Sequence, residues 1–241
     1  MLPYLTATLY APFASFGGLA VGERRGSERH PTRSALIGLL GAALGTDRAD
    51  EAAQHALAQG YGFATQTLAS GRLLTDYHTA QMPGARGKRR FATRREELQA
   101  AELGTVLTSR DYRTDALFSL ALWPREAAPF TLQAIANALK TPRYTLCLGR
   151  KSCPLGLPLA PRITDHPSAV AALHAHWHTE PRPPEAAIRR ALHAAPGEIT
   201  LDRSDAGDAA PVRVEFIRDQ PLSRRRWQFG LREAAILRGG A

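Results

Sequence analysis

The sequence has almost no lysine. Of its 31 Lys and Arg residues only Lys88, Lys140 and Lys151 are lysines. It has two cysteines, Cys147 and Cys153, in neither a CxxC nor any zinc-ligand spacing. That excludes a disulfide framework and a cysteine-based metal centre, and both thiols are expected to be reduced. Long apolar runs are missing too: the longest, Ala35–Leu44, is short and broken by glycine, so it does not suit a bilayer span. Met1–Tyr4 offers no basic stretch ahead of an apolar one, so the expectation is a cytoplasmic protein with no membrane partner. GxxxxGK[ST], GxGxxG, HExxH and GxSxG are all absent, which removes the common signatures of nucleotide binding, zinc proteolysis and serine hydrolysis; no cofactor is expected.

What is present is a surplus of arginine. The 241 residues carry a formal charge of +9, with 44% hydrophobic and 22% charged residues, a composition that folds and buries a core. Codon bias accounts for arginine in place of lysine but not for the excess of positive charge. Arginine's planar fork suits phosphate and stacks on bases, so the charge points to a nucleic-acid partner.

Along the chain, Tyr4–Tyr10 alternates as a half-buried strand does. Ser15–Ser27 reads as a Gly-rich loop. Pro31-Thr32-Arg33-Ser34 opens an apolar helix that Gly45 closes, and Gly38 and Gly41 share a face suited to close backbone approach. A second helix is expected over about 49–59, strands over 62–68, 72–78, 104–111 and 115–123, and a helix over 130–140. This β-α-(α)-β-β-β-β-α order suits an α+β, ferredoxin-like sheet with helices on one face. The boundary falls near 141–165: residues 1–145 form the main domain and 146–241 a Gly/Pro-rich loop followed by a small β-rich C-terminal domain. Residues 166–184 read as a linker, followed by a short helix near 185–193 and short strands over 199–203, 212–218, 224–230 and 234–237.

Six places could carry chemistry. Arg24, Arg33 and Ser34 lie at or before a helix start, where free N–H groups and the dipole attract anions. Tyr77 and His78 sit in Asp76-Tyr77-His78-Thr79; His78 is a possible general base for RNA cleavage or part of a stacking platform. Arg86, Lys88, Arg89 and Arg90 precede Phe91 in a long basic loop, the pattern of single-strand binders. Arg110 with Tyr112, and Arg143 with Tyr144, repeat the Arg–Tyr theme, while Arg150, Lys151 and Ser152 occupy a Gly/Pro-rich loop whose backbone can approach phosphate. Two further patches stand apart. His174, His176 and His178 would share a face on a strand but lack further ligands, so an exposed segment is expected there and no metal. Arg224-Arg225-Arg226-Trp227 reads equally as a basic–aromatic patch and as a charged guard on an edge strand.

Ala11-Pro12, the run Pro31–Gly45, Asp76–Thr79, Arg110-Asp111-Tyr112, Pro142–Thr145 and Leu148–Leu155 occur in the order in which the CasD family carries them. Over about residues 5–160 the chain resembles this family, the crRNA 5′-end subunits of type I-E CRISPR Cascade complexes. The resemblance implies a RAMP fold with a basic β-hairpin thumb at about 79–103. It implies a non-catalytic subunit that caps the crRNA 5′ handle, contacts the Cascade large and backbone subunits, and meets target DNA only through the complex. Arg33 and Ser34 then match the helix start against the handle, and Arg150, Lys151 and Ser152 the loop beneath it. The competing reading is a metal-free endoribonuclease acting on CRISPR precursor RNA through His78 and Tyr77.

Overall fold

The computed structural model describes residues 1–18, 20, 22–84 and 90–239. Its centre is a nine-stranded sheet. The main path runs β6-β1-β5-β3-β7-β9-β8, formed by β1 (Leu2–Ala14), β3 (Tyr61–Ala69), β5 (Leu103–Pro124), β6 (Arg162–His166), β7 (Ile199–Asp202), β8 (Arg213–Ser223) and β9 (Gln228–Leu237). Off this path, β2 (Arg24–Arg25) and β4 (Arg72–Pro83) pair with the first half of β5. Every pairing is antiparallel except β2 with β5.

The two strands expected at 104–111 and 115–123 are one 22-residue strand. Its second half lies between β1 and β3, from Leu117 to Leu122; its first half pairs with β4 from Thr114 back to Leu103 and forms an arm. Asp115, at a φ of 54°, marks the irregular step between the halves. Asp-rich sequence there reads as a turn, but sheet pairing on both sides carries the strand through it.

Helices α1 (Arg33–Leu44), α2 (Glu51–Gly60) and α4 (Leu132–Lys140) pack on one face against Leu5, Leu9, Phe118, Leu120 and Leu122, while the short α3 (Arg94–Leu98) belongs to the arm. The α1 helix forms where Thr32 caps its first turn by accepting from the Ala35 N–H, and it stops at Gly45, whose φ of 77° suits a residue without Cβ. Close backbone approach at its glycines is not found: nothing lies within 4 Å of a Cβ built at Gly38, and only side chains near 3.8 Å meet one at Gly41.

The expectation of helices on one face needs correction. α5 (Ala169–His178) and α6 (Pro183–Ala191) cover the second face, over Tyr4, Ala64, Trp123 and Leu117. The supposed linker at 166–184 is therefore mostly helix, started by the Ser168 cap and buried through Ala169, Ala172, Leu173 and His176. Coverage on both faces explains why β1 is buried from Tyr4 through Ala11 instead of alternating. The sheet also runs through the boundary expected near residue 145, since β6 pairs with β1 and β7 with β3. The segment expected as a strand over 224–230 is a turn at 224–227 entering β9. No helix among the described residues is long and apolar enough to cross a membrane.

Candidate nucleic-acid interface

Where β1 ends and the β4–β5 arm departs, four stretches of chain converge on Asp111. Its carboxylate, 3% exposed, accepts from Arg24 Nη2 at 3.1 Å and Thr75 Oγ1 at 2.8 Å. Its carbonyl accepts from Ser15 Oγ at 2.8 Å and Arg150 Nη1 at 3.3 Å. Burial works to raise the Asp111 carboxyl, but the hydrogen bonds from Thr75 and Arg24 and the charges of Arg24 and Arg150 outweigh it and hold it below its ordinary value. Asp111 is thus a buried anion that aims arginines: the Arg24 side chain remains 70% exposed beyond its single carboxylate contact.

Arg150 is held more tightly. Its second nitrogen donates to the Arg25 carbonyl at 2.9 Å, and its guanidinium lies 4.9 Å from the ring centre of Tyr112, which meets Phe13 edge-on. Gly149 sets this geometry. Its φ is +87° and it bridges to Ser15; a Cβ there would lie 1.8 Å from the Ser15 carbonyl oxygen. Lys151 and Ser152 follow on the surface.

Strand pairing divides the remaining residues by face. Thr75 and Tyr77 of β4 lie opposite Asp111 and Ser109, whereas Asp76 and His78 lie opposite Arg110 and Thr108. Tyr77 is 63% exposed, as a stacking platform requires. His78 pairs with Asp76 of its own strand. Arg90 is exposed at the tip of the arm; Arg86, Lys88 and Arg89 lie outside the described residues.

One expectation changes. Arg33 is not a surface phosphate ligand. It is 3% exposed, and its guanidinium donates to Asp202 at 2.8 Å and to the carbonyls of Ala58 and Tyr61 at 2.7 and 3.1 Å. The helix start already holds an anion of its own, Asp219, which accepts from the Arg33 backbone N–H at 2.7 Å. Ser34, half-buried, shares a hydrogen bond with Thr32. Arg143 and Tyr144 have a structural part as well. Their backbone N–H groups donate to the Ala43 and Ala42 carbonyls at 3.0 Å and complete the open end of α1, while both side chains stay exposed.

Sequence reasoning missed the ion network around Arg33. Asp202 also binds Arg125 and Arg232, and Asp205 and Asp219 complete it. The network lines an open groove of about 840 Å³. Asp202 and Asp219 stand 169 and 186 residues from Arg33, so no local pattern could have linked them. The histidine patch resolves differently as well. His176 is buried, 3.0 Å from Thr8 Oγ1, and Thr8 donates to Glu185; burial lowers its pKa to about 4. No group of three metal-ligating side chains is gathered among the described residues.

Residues 4–235 match the family model described as "CRISPR-associated protein (Cas_Cas5)". The chain is 31% identical to the CRISPR system Cascade subunit CasD of Escherichia coli (strain K12) over 243 residues, covering 100% of this chain and 98% of that protein. Its fold is similar to a chain in a solved structure titled "CRISPR RNA-guided surveillance complex", with a TM-score of 0.64 and 22% identity over 98% of this chain and 90% of the other. A structure titled "Crystal structure of Cas protein" gives 0.56 and 22% identity over 98% and 95%. With the mixed α/β fold, the large antiparallel sheet and the full-length match to a Cascade subunit all in agreement, the chain belongs to the Cas5 family of CRISPR-associated proteins.

Proposed function

We propose that this protein is the non-catalytic subunit of a type I-E Cascade that caps the crRNA 5′ handle, with Arg24, Arg110, Tyr112 and Arg150 at the base of the β4–β5 arm as the binding surface. The observation that carries this reading is the convergence on Asp111 of two arginines, Arg24 and Arg150, from separate stretches of chain, with the Arg150 guanidinium lying over the ring of the neighbouring Tyr112. A buried carboxylate with two carbonyls is a costly way to hold two guanidiniums still unless their outward donors have work to do. Fixed arginines beside the half-buried Tyr112, with the exposed Tyr77 on the adjoining arm, suit a backbone phosphate and an unstacked base, the mode in which proteins recognise single-stranded RNA. The arm is the RAMP thumb in this reading, reaching along the RNA with Tyr77 and Arg90; Arg86, Lys88 and Arg89, which the reading also assigns to RNA, lie outside the described residues. The sheet core is the ferredoxin-like domain, elaborated by the C-terminal strands. Arg143, Tyr144, Lys151 and Ser152 lie outside the Asp111 cluster and contribute at most peripheral contacts. The large and backbone subunits are the protein partners, and target DNA is met through them.

The endoribonuclease reading is disfavoured because His78 is paired with Asp76, while Tyr77, the partner that reading gives it, faces the other side of β4. Two assays test the proposal. Arg24→Gln with Arg150→Gln should weaken binding of 5′-handle RNA and flatten its salt dependence by roughly 0.7 in slope for each phosphate no longer neutralised; an unchanged slope counts against it. Metal-free incubation with repeat RNA should give no product, and cleavage abolished by His78→Ala would establish the nuclease instead.

A further inference from the structure

We propose that the turn joining β8 to β9 is a second phosphodiester-binding site, built on Arg48, Arg224 and Trp227, which holds a nucleic-acid backbone away from the handle surface. The guanidinium of Arg48 lies 3.9 Å, and that of Arg224 4.8 Å, from the ring centre of Trp227. Arg225 and Arg226 follow in the same turn and are exposed. Burial lowers the pKa of Arg224, and the like charge of Arg48 lowers it further. Two guanidiniums sharing one indole therefore repel each other, and an anion bridging them would relieve that repulsion.

The local carboxylates are otherwise engaged. Asp47 and Asp50 accept from the Ala49 and Ala53 N–H groups, and Glu51 accepts from Ser223 Oγ and the Arg225 N–H. Glu51 thus fastens the turn to the start of α2, and no ion pair joins any of the three to Arg48 or Arg224 among the described residues. Trp227 holds a φ of 53°, a conformation costly for a residue with Cβ, and presents an indole that is 54% exposed. A simple edge-strand guard needs only scattered charge; it needs neither a strained tryptophan nor paired arginines stacked on it.

Strand register places this turn at the far end of the sheet. The Asp111 cluster lies beyond the Ala14–Arg113 pair, whereas the β8–β9 turn projects beyond the end at which Tyr61 pairs with Pro124 and Asp202 with Ala234. The length of β5 between Arg113 and Pro124 is about 35 Å at ~3.3 Å per residue, so the two sites do not share one phosphate. The strand bound could be RNA or DNA, because the phosphodiester chemistry is the same.

The test uses the full chain with two probes, a labelled single-stranded RNA unrelated to the repeat and a labelled DNA duplex. Arg48→Gln with Arg224→Gln, which removes the one bridged phosphate, should reduce the slope of log affinity against log salt by roughly 0.7 for the single strand or 0.9 for the duplex, and the probe that responds identifies the source. Unchanged slopes on both probes would overturn the proposal. A measurement on the unaltered protein guards against misfolded variants: the bound probe should protect Arg48 and Arg224 from phenylglyoxal, read by mass spectrometry. Equal modification with and without both probes, or protection by poly-glutamate alone, would overturn the proposal. Failure of the handle reading shows elsewhere, as handle affinity unmoved by Arg24→Gln with Arg150→Gln, and leaves protection at Arg48 and Arg224 as it was.

Discussion

Replacing Arg33 with methionine separates a structural arginine from an RNA ligand. Methionine keeps an apolar stem where Arg33 lies over Phe63 but removes the donors to Asp202, Ala58 and Tyr61. Breaking a buried ion pair by removing one partner typically costs about 3–5 kcal/mol. The lower end applies here, because Asp202 retains Arg125 and Arg232 at 3.0 and 2.9 Å. Relief of the burial that lowers the Arg33 pKa acts in the same direction. The two orphaned carbonyls act against it. A loss of about 3 kcal/mol lowers the melting temperature of a chain this long by roughly 6–12 °C. Calorimetry and handle-RNA titration on one preparation give the answer. The expected result is a large drop in melting temperature with handle affinity of the folded protein unchanged. A variant that melts with the wild type but loses handle affinity would refute the argument and return Arg33 to the RNA surface.

Acidification should expose the buried histidine. The folded pKa of His176, about 4, lies below its ordinary value of 6.5, so the unfolded chain binds the extra proton first. Stability is therefore complete above about pH 6.5 and falls as pH drops toward about 4, by up to about 3 kcal/mol at ~1.4 kcal/mol per pH unit; melting against pH should lose that slope in His176→Gln. Gly149→Ala should both destabilise the fold and weaken handle binding, because the new Cβ meets the Ser15 carbonyl and displaces the loop that carries Arg150. Handle affinity that survives this substitution in a folded protein would show that Arg150 is not positioned by that bridge.

Much of the fold was legible. The run from Pro31 to Gly45 announced α1 and its caps, because capping chemistry is local. The histidine segment carries a helical signal that its histidines mask. Ser168 followed by apolar residues at 169, 172 and 173, with His176 completing the buried face, is helical spacing, obscured by the alternation of His174, His176 and His178. The unbroken β5 was not legible, because local chemistry at Asp111–Asp115 favours a turn and only pairing with β1, β4 and β3 overrides it. At the site, Arg24, Arg110, Tyr112 and Arg150 stood out singly as basic or aromatic residues. Asp111, which holds Arg24 and Arg150, looked like one more charge in a polar stretch, and the carboxylate partners of Arg33 lie in the last quarter of the chain.

The central claim is that the surface around Asp111 holds the crRNA handle. Photo-crosslinking tests it most directly: Cascade assembled with this subunit, carrying crRNA with 4-thiouridine at successive handle positions, is irradiated and the crosslinked peptides are identified. The account predicts crosslinks to the segments containing Arg24, Tyr112 and Arg150, with Tyr77 on the arm. Crosslinks confined to the start of α1 around Arg33 and Ser34, with none around Asp111, would contradict it.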